Sequence, residues 1–351
     1  MVLFEEGGRV SLGDARLKVC GPDELVCETL CSTISPGTEL RMLAGHYGSA
    51  GAFPFIPGYS SVGRVVEVGS AVCGWRVGDL VNCRNTVPFE GVTTLYGAHS
   101  RRKGVPASGA DRPVRLPDGA DPFDYALTDL AAIALRGVEA AAPRPGETAI
   151  VIGQGLIGSL SAAWLGIHGC RVIVVDPEAA RLEKALRRGV AFAVSPTEPD
   201  AYERLMALCH GGADLVVEAS GTTPGVELAL RLLRRKPQGE SWKSAMEPIR
   251  FYHGDWPRLI FQANYLAPLP WKPDNAFPGE GAIFITPRDR GVEERQRVIE
   301  AIRNGHFRPG EWVDEIVPWR EAPAAYAALQ ERHILSAVLD WRGEEGRESP
   351  K

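Results

Sequence analysis

The sequence predicts an α/β protein in which a doubly wound parallel sheet is joined to a second, antiparallel β domain. Three observations carry this prediction. The chain has 351 residues, which is enough for about two domains. Its first third is rich in Gly and Pro between short β-branched runs, a texture typical of antiparallel β structure. From about residue 121, apolar strand patterns alternate with helical ones, which favours a parallel sheet covered by helices.

The elements of the first part are short strands separated by turns about every eight to twelve residues. Examples are "RVVEVG", "RVGDLVNC" and "DRPVRLPDG". The segment "DPFDYALTDLAAIALRGVEAAA" (121–142) has an Asp-Pro start and many alanines, so it predicts a helix that leads into the second domain.

The second part is predicted to alternate strands and helices from residue 148 onwards. The strands are "TAIVIG", "RVIVVD" and "ADLVVEASG", and the helices between them are "LIGSLSAAWLGIHG" and "EAARLEKALRRG". Residues 236–280 are predicted to form an inserted loop or short helix before a strand "LIFQANY", followed by a Pro-rich surface segment. The three strands quoted first are continuously apolar, as is expected where both faces of a sheet are covered.

Composition excludes several classes of protein. The chain is 44% hydrophobic and 24% charged, as is usual for a globular protein, and its net charge is −5. It therefore has no basic footprint for nucleic acid or for an anionic membrane. No apolar run approaches the roughly 20 residues of a membrane span, and the N-terminus lacks the layout of a signal peptide. We expect a cytoplasmic protein whose partner is a small molecule.

The seven cysteines indicate reduced thiols rather than disulfides or a metal site. Their number is odd, most lie in apolar runs, and no C-x-x-C pair occurs. Cys27 and Cys31 have the same parity in a strand-like run, but no further ligands accompany them.

The most specific motif is "IVIGQGLIGSL", in which Gly153, Gly155 and Gly158 have G-x-G-x-x-G spacing between a strand and a helix. The first Gly allows a tight turn, the second lets the backbone approach a pyrophosphate, and the third lets the helix pack closely. Asp176 ends the next strand, near the spacing expected for the acid that binds an adenine ribose. The motif predicts a Rossmann dinucleotide site.

The same region supplies the other candidate cofactor contacts. Arg181 follows Asp176 by five residues and can reach the same ribose, or it is a solvated helix charge. A carboxylate beside the ribose repels a 2′-phosphate, so NAD is favoured over NADP. The remaining candidates are the other loop residues and the residue after the third strand: Gln154, Leu156, Ile157 and Ser220.

The order of "FPFIPGYSSVGRVVEVG", "VGDLV", "PGETAIVIGQGLIG" and "VVD" resembles the medium-chain dehydrogenase/reductase superfamily of alcohol and polyol dehydrogenases. The resemblance covers roughly residues 10–341. Within it, "ISPGTE" and "FPFIPGYSSVGRVVEVG" are similar to the branch containing bacteriochlorophyllide a dehydrogenase, and equally to sugar or cyclitol dehydrogenases. The resemblance to the superfamily implies a GroES-like antiparallel domain, formed by residues 1–120 and 300–351, and a Rossmann NAD-binding domain over 121–299.

The resemblance also marks where zinc members hold their metal. In those members "PGYSSVG" would read P-G-H-E-x-x-G, so Tyr59 and Ser60 replace a His ligand and its neighbouring Glu. The first ligand, a Cys, falls at Ser35 or Pro36, and the third falls near Asp129. Ser, Tyr and Asp are poor zinc ligands, and a four-cysteine structural lobe is missing as well. We expect no zinc.

An enzyme without zinc needs another group to exchange a proton with the alcohol or ketone oxygen. Tyr59 stands where a ligand stood, so its phenol is the first candidate, with a packed turn tyrosine as the alternative. By resemblance, Thr38 corresponds to the hydroxyl that relays the proton and Glu39 to a nearby acid. His46 is the best-placed imidazole, or else a plain loop histidine. The other six histidines are taken as structural or surface residues.

Three functions remain open from the sequence. The first is a zinc-independent, NAD-dependent oxidoreductase that interconverts a secondary alcohol and a ketone on a polyol, sugar, cyclitol or hydroxyalkyl substrate. The second is an NADPH-dependent quinone or enoyl double-bond reductase, which Asp176 disfavours. The third is a non-catalytic dinucleotide-binding relative. By the same resemblance we expect a homodimer that pairs the edge strand "GAIFITP" (281–287).

Overall fold

A computed structural model describes residues 1–48, 51–84, 86–234, 256–266, 268–269, 282–288 and 291–343. The chain divides into two compact units, which are Met1–Ala132 with Arg290–Lys351, and Ile133–Asp289. The sequence places the boundaries at 120/121 and 299/300, and both of these positions fall inside the first unit. The helix Thr128–Ala140 begins in the first unit and continues into the second, and the helix Val292–Arg303 lies wholly in the first.

The strands, in chain order, are β1 (Val2–Glu5), β2 (Arg9–Leu12), β3 (Glu24–Ile34), β4 (Phe55–Ile56), β5 (Ser61–Val68), β6 (Leu80–Cys83), β7 (Thr93–Thr94), β8 (Arg102–Pro106), β9 (Val114–Arg115), β10 (Thr148–Ile152), β11 (Arg171–Val175), β12 (Phe192–Val194), β13 (Leu215–Glu218), β14 (Arg258–Phe261), β15 (Ile283–Ile285), β16 (Glu315–Pro318) and β17 (Ala337–Asp340). The helices are α1 (Pro36–Leu43), α2 (Thr128–Ala140), α3 (Leu156–Ile167), α4 (Ala179–Arg187), α5 (Ala201–Leu208), α6 (Thr223–Leu232), α7 (Val292–Arg303) and α8 (Ala322–Gln330). Single 3₁₀ turns occur at Pro122–Tyr125, Pro309–Trp312 and Trp319–Glu321.

The first unit contains two sheets. The larger has the order β16-β17-β3-β5-β6-β9, with β8 paired to β3, and the smaller has the order β2-β1-β4-β7. Pairing is antiparallel except at β16–β17 and β4–β7. The predicted antiparallel, GroES-like domain is confirmed. Apolar residues from β3, β5 and β6 (Leu25, Val65 and Val81 among them) are fully buried in one core cluster of this unit.

The second unit is a six-stranded, wholly parallel sheet of order β12-β11-β10-β13-β14-β15. The chain order reverses beside β10, so the loops after β10 and β13 lie at the switch point where such sheets bind ligands. The predicted Rossmann fold is confirmed. Strands β10, β11 and β13 are buried along almost their whole length, as their apolar sequences predict.

The predictions for the segments 121–142 and 236–280 are confirmed only in part. The helix predicted over 121–142 is divided into a 3₁₀ turn and the shorter helix α2, and Asp121 caps the start of the turn by accepting a hydrogen bond from the Phe123 amide. Of the segment 236–280, residues 236–255, 267 and 270–280 lie outside the described residues, while the predicted strand "LIFQANY" is present as β14. Among the described residues, no helix is long and apolar enough to cross a membrane.

Candidate active site and cofactor site

The glycine loop of the second unit has the geometry that its sequence predicts. Gly153 adopts a φ of 92°, and a Cβ there would lie 2.7 Å from the Ser220 amide nitrogen. A Cβ on Gly158 would overlap the carbonyl oxygen of Gly153. Gly155, in contrast, faces open space. Two glycines are therefore required by the fold itself, while the second leaves room for a ligand to approach the backbone.

Helix α3 begins directly after this open glycine. Gly155 is the N-cap and no side chain caps the helix, so the first amide groups of α3 are left to another acceptor. A helix N-terminus of this kind favours an anion such as a phosphate. Of the other predicted loop contacts, Gln154 and Leu156 have buried side chains and Ile157 is half-buried. We therefore expect these three residues to contact a cofactor mainly through their backbone.

Asp176 joins the ends of strands β10 and β11. Its Oδ2 accepts a hydrogen bond of 2.7 Å from the Gln154 amide, and its Oδ1 accepts one of 2.9 Å from the Glu178 amide. Arg181 Nη1 lies 3.4 Å from the same Oδ2. The structure thus brings together the loop, the acid and the arginine that the sequence assigned to a ribose. The side chain of Asp176 is 2% exposed, so it also fixes the loop in place.

Ser220 lies in a turn organised by Glu218, a residue that the sequence analysis missed. The fully buried Glu218 carboxylate accepts hydrogen bonds from the Ser220 amide (2.9 Å) and from the hydroxyls of Ser220 and Tyr265. Burial, reinforced by Glu218, raises the pKa of the Tyr265 phenol, so that phenol stays protonated as a donor. The sequence clue was an acid ending the apolar strand "DLVVEASG".

In the first unit, Tyr59 and Ser35 form one polar pair. Their hydroxyls share a hydrogen bond of 2.7 Å, and both residues are buried. Ser35 precedes α1, and Tyr59 lies in the turn before β5. The turn requires Gly58, which has a φ of 90° and whose Cβ would lie 2.5 Å from the His99 ring. The rigid corner therefore holds the phenol against the serine.

Two further side chains lie beside Tyr59, and the sequence analysis identified neither of them. The ring of Tyr96 meets the Tyr59 ring edge-on, with centroids 5.8 Å apart. Arg84 Cζ lies 5.9 Å from the Tyr59 ring centroid. Arg84 Nε is also 3.0 Å from Oδ1 of the buried Asp129. Arg84 thereby links the first two predicted positions, Ser35 and Tyr59, to the third.

The other predicted catalytic residues have different surroundings. Thr38 is half-buried in α1 and its amide donates to the Ser35 carbonyl (3.2 Å). Glu39 is fully buried, accepts from the Ser35 amide (2.8 Å), and accepts from the Tyr326 hydroxyl. His46 is exposed just after α1, and its amide donates to the Arg41 carbonyl. The structure thus places Glu39 behind Ser35 and His46 at the surface.

His99, which the sequence analysis took as structural or surface, is fully buried beside Glu39. Its Nε2 lies 2.9 Å from Glu39 Oε2, and its Nδ1 lies 2.8 Å from Ser32 Oγ. Burial and the neighbouring Glu39 raise the pKa of the Tyr326 phenol well above its usual value. This closed network fixes α1 against the strands, so it supports Ser35 rather than exchanging protons with solvent.

The residues at the expected metal position do not suit zinc. Ser35 and Tyr59 offer hydroxyl groups that are bonded to one another, and Asp129 is ion-paired to Arg84. Zinc sites in proteins use thiolate, imidazole or carboxylate ligands in a tetrahedron. In the part of the chain that the structure describes, no three His, Cys, Asp or Glu side chains are grouped to hold a metal ion.

Comparison with known proteins supports the same fold and class. Residues 21–109 match the family described as "Alcohol dehydrogenase GroES-like domain", and residues 157–240 match "Zinc-binding dehydrogenase". The chain is 31% identical to sorbitol dehydrogenase of Halalkalibacterium halodurans, over 58% of this chain and 64% of that protein. It is 26% identical to alcohol dehydrogenase of Cupriavidus necator, over 92% and 93%. The zinc-dependent alcohol dehydrogenase 2 of Streptococcus pneumonia has the same fold, with a TM-score of 0.80, 18% identity and coverage of 98% and 99%.

A dinucleotide-type glycine loop on a parallel sheet, combined with a GroES-like unit, defines an alcohol-dehydrogenase-like oxidoreductase. The chain belongs to the medium-chain dehydrogenase/reductase superfamily.

Proposed function

We propose that the protein is a zinc-independent, NAD-dependent oxidoreductase that interconverts a secondary alcohol and a ketone on a polyol, sugar, cyclitol or hydroxyalkyl substrate. The observation that carries the proposal is the buried Ser35–Tyr59 hydroxyl pair in the place of two metal ligands. The similarity to sorbitol and alcohol dehydrogenases supports the substrate class. A screen of secondary alcohols with NAD⁺, followed by absorbance of the reduced cofactor, tests it.

The glycine loop and the hydroxyl pair have different roles in the proposed reaction. Bound NAD⁺ would supply the hydride acceptor, and the glycine loop with Asp176 would hold its pyrophosphate and adenine ribose. In its ionised form Tyr59 accepts the proton of the substrate hydroxyl during oxidation, and the resulting phenol returns the proton during reduction. Ser35, at 2.7 Å, is the next hydroxyl along the proton path. Glu39 and His99 keep Ser35 in position through its backbone amide.

Two alternatives stay distinguishable by experiment. A quinone or enoyl double-bond reductase would reduce an activated C=C bond with NADPH and leave alcohols unchanged. A non-catalytic relative would bind a dinucleotide and show no turnover with alcohols or enones. The buried carboxylate of Asp176 favours the first proposal over the reductase, because a 2′-phosphate beside it would be repelled.

Cofactor choice is the first prediction. NAD(H) is expected to bind at least about tenfold more tightly than NADP(H), a difference of about 1.4 kcal/mol. Asp176→Asn removes the charge and keeps an oxygen acceptor for only one of the two bonded backbone amides, so it should erode the preference at a cost of about 1–3 kcal/mol in stability. Asp176→Ala should erode it and also loosen the loop, because the bond to Gln154 is lost. Titration of both cofactors measures this, and tighter NADP(H) binding to the wild type would move the double-bond reductase to first place.

Metal content is the second prediction. Purified protein is expected to contain no stoichiometric zinc, and chelators should leave its melting temperature and turnover unchanged, since Asp129 already has a cationic partner in Arg84. Elemental analysis together with melting curves before and after chelation measures this. About one zinc per chain, lost together with activity on chelation, would show that the hydroxyl pair is not the reacting site.

Assembly is the third prediction. β15 is the edge of the six-stranded sheet as the described residues define it, and its three residues are only half-buried. An uncovered β-branched edge tends to pair with another strand, so we propose a homodimer built on it. Light scattering should give about twice the chain mass of 37.9 kDa. Ile285→Lys places a charge on the edge and should produce monomer, whereas a wild-type mass near that of one chain contradicts the proposal.

We also propose that the protein is cytoplasmic. The described cysteines are all free thiols, and five of the seven are buried. Reduced thiols are typical of proteins kept in the cytoplasm. Fractionation of cells that produce the protein, with the thiols titrated under native conditions, would test this assignment.

A further inference from the structure

The three positions that correspond to metal ligands are joined by a cation that belongs to the protein. Arg84 Nε lies 3.0 Å from Asp129 Oδ1, and Arg84 Cζ lies 5.9 Å from the Tyr59 ring centroid. Ser35 completes the chain of contacts through its 2.7 Å bond to Tyr59. We propose that the Arg84 guanidinium supplies the positive charge of this site in place of a metal ion, held there by Asp129. The inference rests on the proposed function.

Strand pairing explains why Arg84 lies at this point. β5 and β6 are antiparallel, and Ser61 pairs with Cys83. Tyr59 lies two residues before Ser61, and Arg84 directly follows Cys83. The start of β5 and the end of β6 are therefore neighbours, which brings both side chains out at the same end of the sheet. The position of the arginine thus follows from strand register.

Asp129 is held by several groups, so it is a fixed anchor for the guanidinium. Its Oδ2 accepts a hydrogen bond of 2.7 Å from Asn82 Nδ2. The oxygen of the Asn82 amide accepts one of 3.1 Å from Arg295 Nη1, and Arg295 Nε is 3.9 Å from Asp129 Oδ1. Burial lowers the pKa of the Arg295 guanidinium, an effect that Asp129 opposes. A metal ion binding here would have to compete with the guanidinium for a carboxylate that is already paired.

The charged side chains near Tyr59 indicate how Arg84 would affect an oxygen that gains negative charge there. Facing the arginine are Asp129 and, at 3.9 Å, the half-exposed Asp111. Behind Ser35 lie Glu39 and His99, whose side chains bond to each other. A guanidinium stays protonated throughout the working pH range. It therefore gives the site a permanent positive charge, which favours negative charge developing on an oxygen near Tyr59.

Arg84 differs from a catalytic metal ion in the group that it contacts. In the structure it approaches the ring of Tyr59 and not a reacting atom, so it is a positioning residue that acts through Tyr59. Removing one preorganised charge-stabilising donor from an active site typically lowers kcat by about 10²- to 10³-fold. For Arg84→Gln we expect the lower end, about 10²-fold, with cofactor affinity unchanged.

Two comparisons separate this role from a structural one. Arg84→Lys keeps the charge and should retain kcat within about tenfold of the wild type, far above Arg84→Gln. In a Tyr59→Phe background, Arg84→Gln should add little further loss, because the two residues act as a unit. An Arg84→Gln enzyme with an intact fold and kcat within a few-fold of the wild type would overturn the inference. So would a lysine variant no better than the glutamine variant.

A measurement that needs no substrate tests the pairing with Asp129. Arg84→Ala removes the cation that lies 3.0 Å from the buried Asp129 carboxylate, whereas Arg84→Ala/Asp129→Asn leaves a neutral amide in place of that carboxylate. We expect the single variant to melt at a lower temperature than the double variant. Millimolar guanidinium, far below the concentrations that unfold proteins, should raise the melting temperature of the single variant only.

The outcomes distinguish this inference from the proposed function. Equal melting temperatures for the single and double variants, with no response to guanidinium, would overturn the pairing whatever the activity. If the wild type turned over an alcohol and the Arg84→Gln variant had the same kcat, the proposed function would be upheld and this inference would be overturned. A wild type that oxidises no alcohol would contradict the proposed function, while the melting experiment would still decide whether Asp129 requires Arg84.

Discussion

Tyr59→Phe is expected to lower turnover of a secondary alcohol by about 10²- to 10⁴-fold, which is the usual contribution of a general acid-base group. The substitution removes the hydroxyl that is bonded to Ser35 and keeps the ring packed edge-on against Tyr96. The loss should therefore appear in kcat, with NAD(H) affinity and melting temperature close to those of the wild type. Steady-state kinetics, a cofactor titration and a melting curve on the same preparation measure all three quantities.

Matched variants locate the proton path. Ser35→Ala removes the hydroxyl next to Tyr59, and Thr38→Val removes the hydroxyl in α1 that corresponds to the relay residue. Each should lower kcat, and neither loss should add fully to that of Tyr59→Phe, because residues of one proton path are not independent. If Thr38→Val alone has no effect, the path runs from Tyr59 through Ser35 without it.

A Tyr59→Phe enzyme within a few-fold of the wild type would make the tyrosine a packing residue. The proton transfer would then have to pass to Glu39 or His46, and the structure ranks these two differently. Glu39 is enclosed by the Ser35 amide, His99 and Tyr326, so it would have to exchange protons through that network. His46 is exposed at the surface just after α1. A Glu39→Gln variant that folds and keeps its activity would leave His46 as the remaining candidate.

The sequence predicted those features that depend on local spacing. The G-x-G-x-x-G loop, the acid at the end of β11 and the alternation of strands and helices are all set within about thirty residues, so pattern and propensity locate them. The resemblance placed Tyr59, and either Ser35 or Pro36, at two ligand positions of one metal site, but it did not predict a contact between Ser35 and Tyr59. Its geometry, a single hydrogen bond between two buried hydroxyls, became visible only in the structure.

The residues that the sequence analysis missed belong to contacts between distant parts of the chain. Arg295 and Asn82 are 213 positions apart and share a buried hydrogen bond. Glu39 and Tyr326 are 287 positions apart. Nothing in the local pattern of an isolated Arg, Asn or Tyr indicates such a partner, because strand pairing and helix packing decide which side chains meet. Arg84 was missed for the same reason, since its role depends on the register between β5 and β6.

The same substitution, Gly to Ala, is expected to have opposite effects on cofactor binding and on stability at two positions of the glycine loop. Gly155 has a φ of −66° and faces open space, so Gly155→Ala should fold as stably as the wild type. Its new methyl group occupies the space where a pyrophosphate would approach the backbone. We expect the dissociation constant for NAD(H) to rise by at least about tenfold, equivalent to about 1.4 kcal/mol. Calorimetric titration measures this.

Gly158→Ala should behave in the opposite way, because its Cβ would overlap the carbonyl oxygen of Gly153 and push α3 away from the sheet. Overpacking of this kind typically costs about 1–3 kcal/mol and occasionally more. At roughly 2–4 °C per kcal/mol for a domain of this size, the melting temperature should fall by several degrees even without cofactor. If Gly155→Ala bound NAD(H) as tightly as the wild type, the pyrophosphate would not lie against this loop, and the dinucleotide site would have to be placed elsewhere on the sheet. A loss of stability in Gly158→Ala but not in Gly155→Ala would show that one glycine serves the fold and the other serves the ligand.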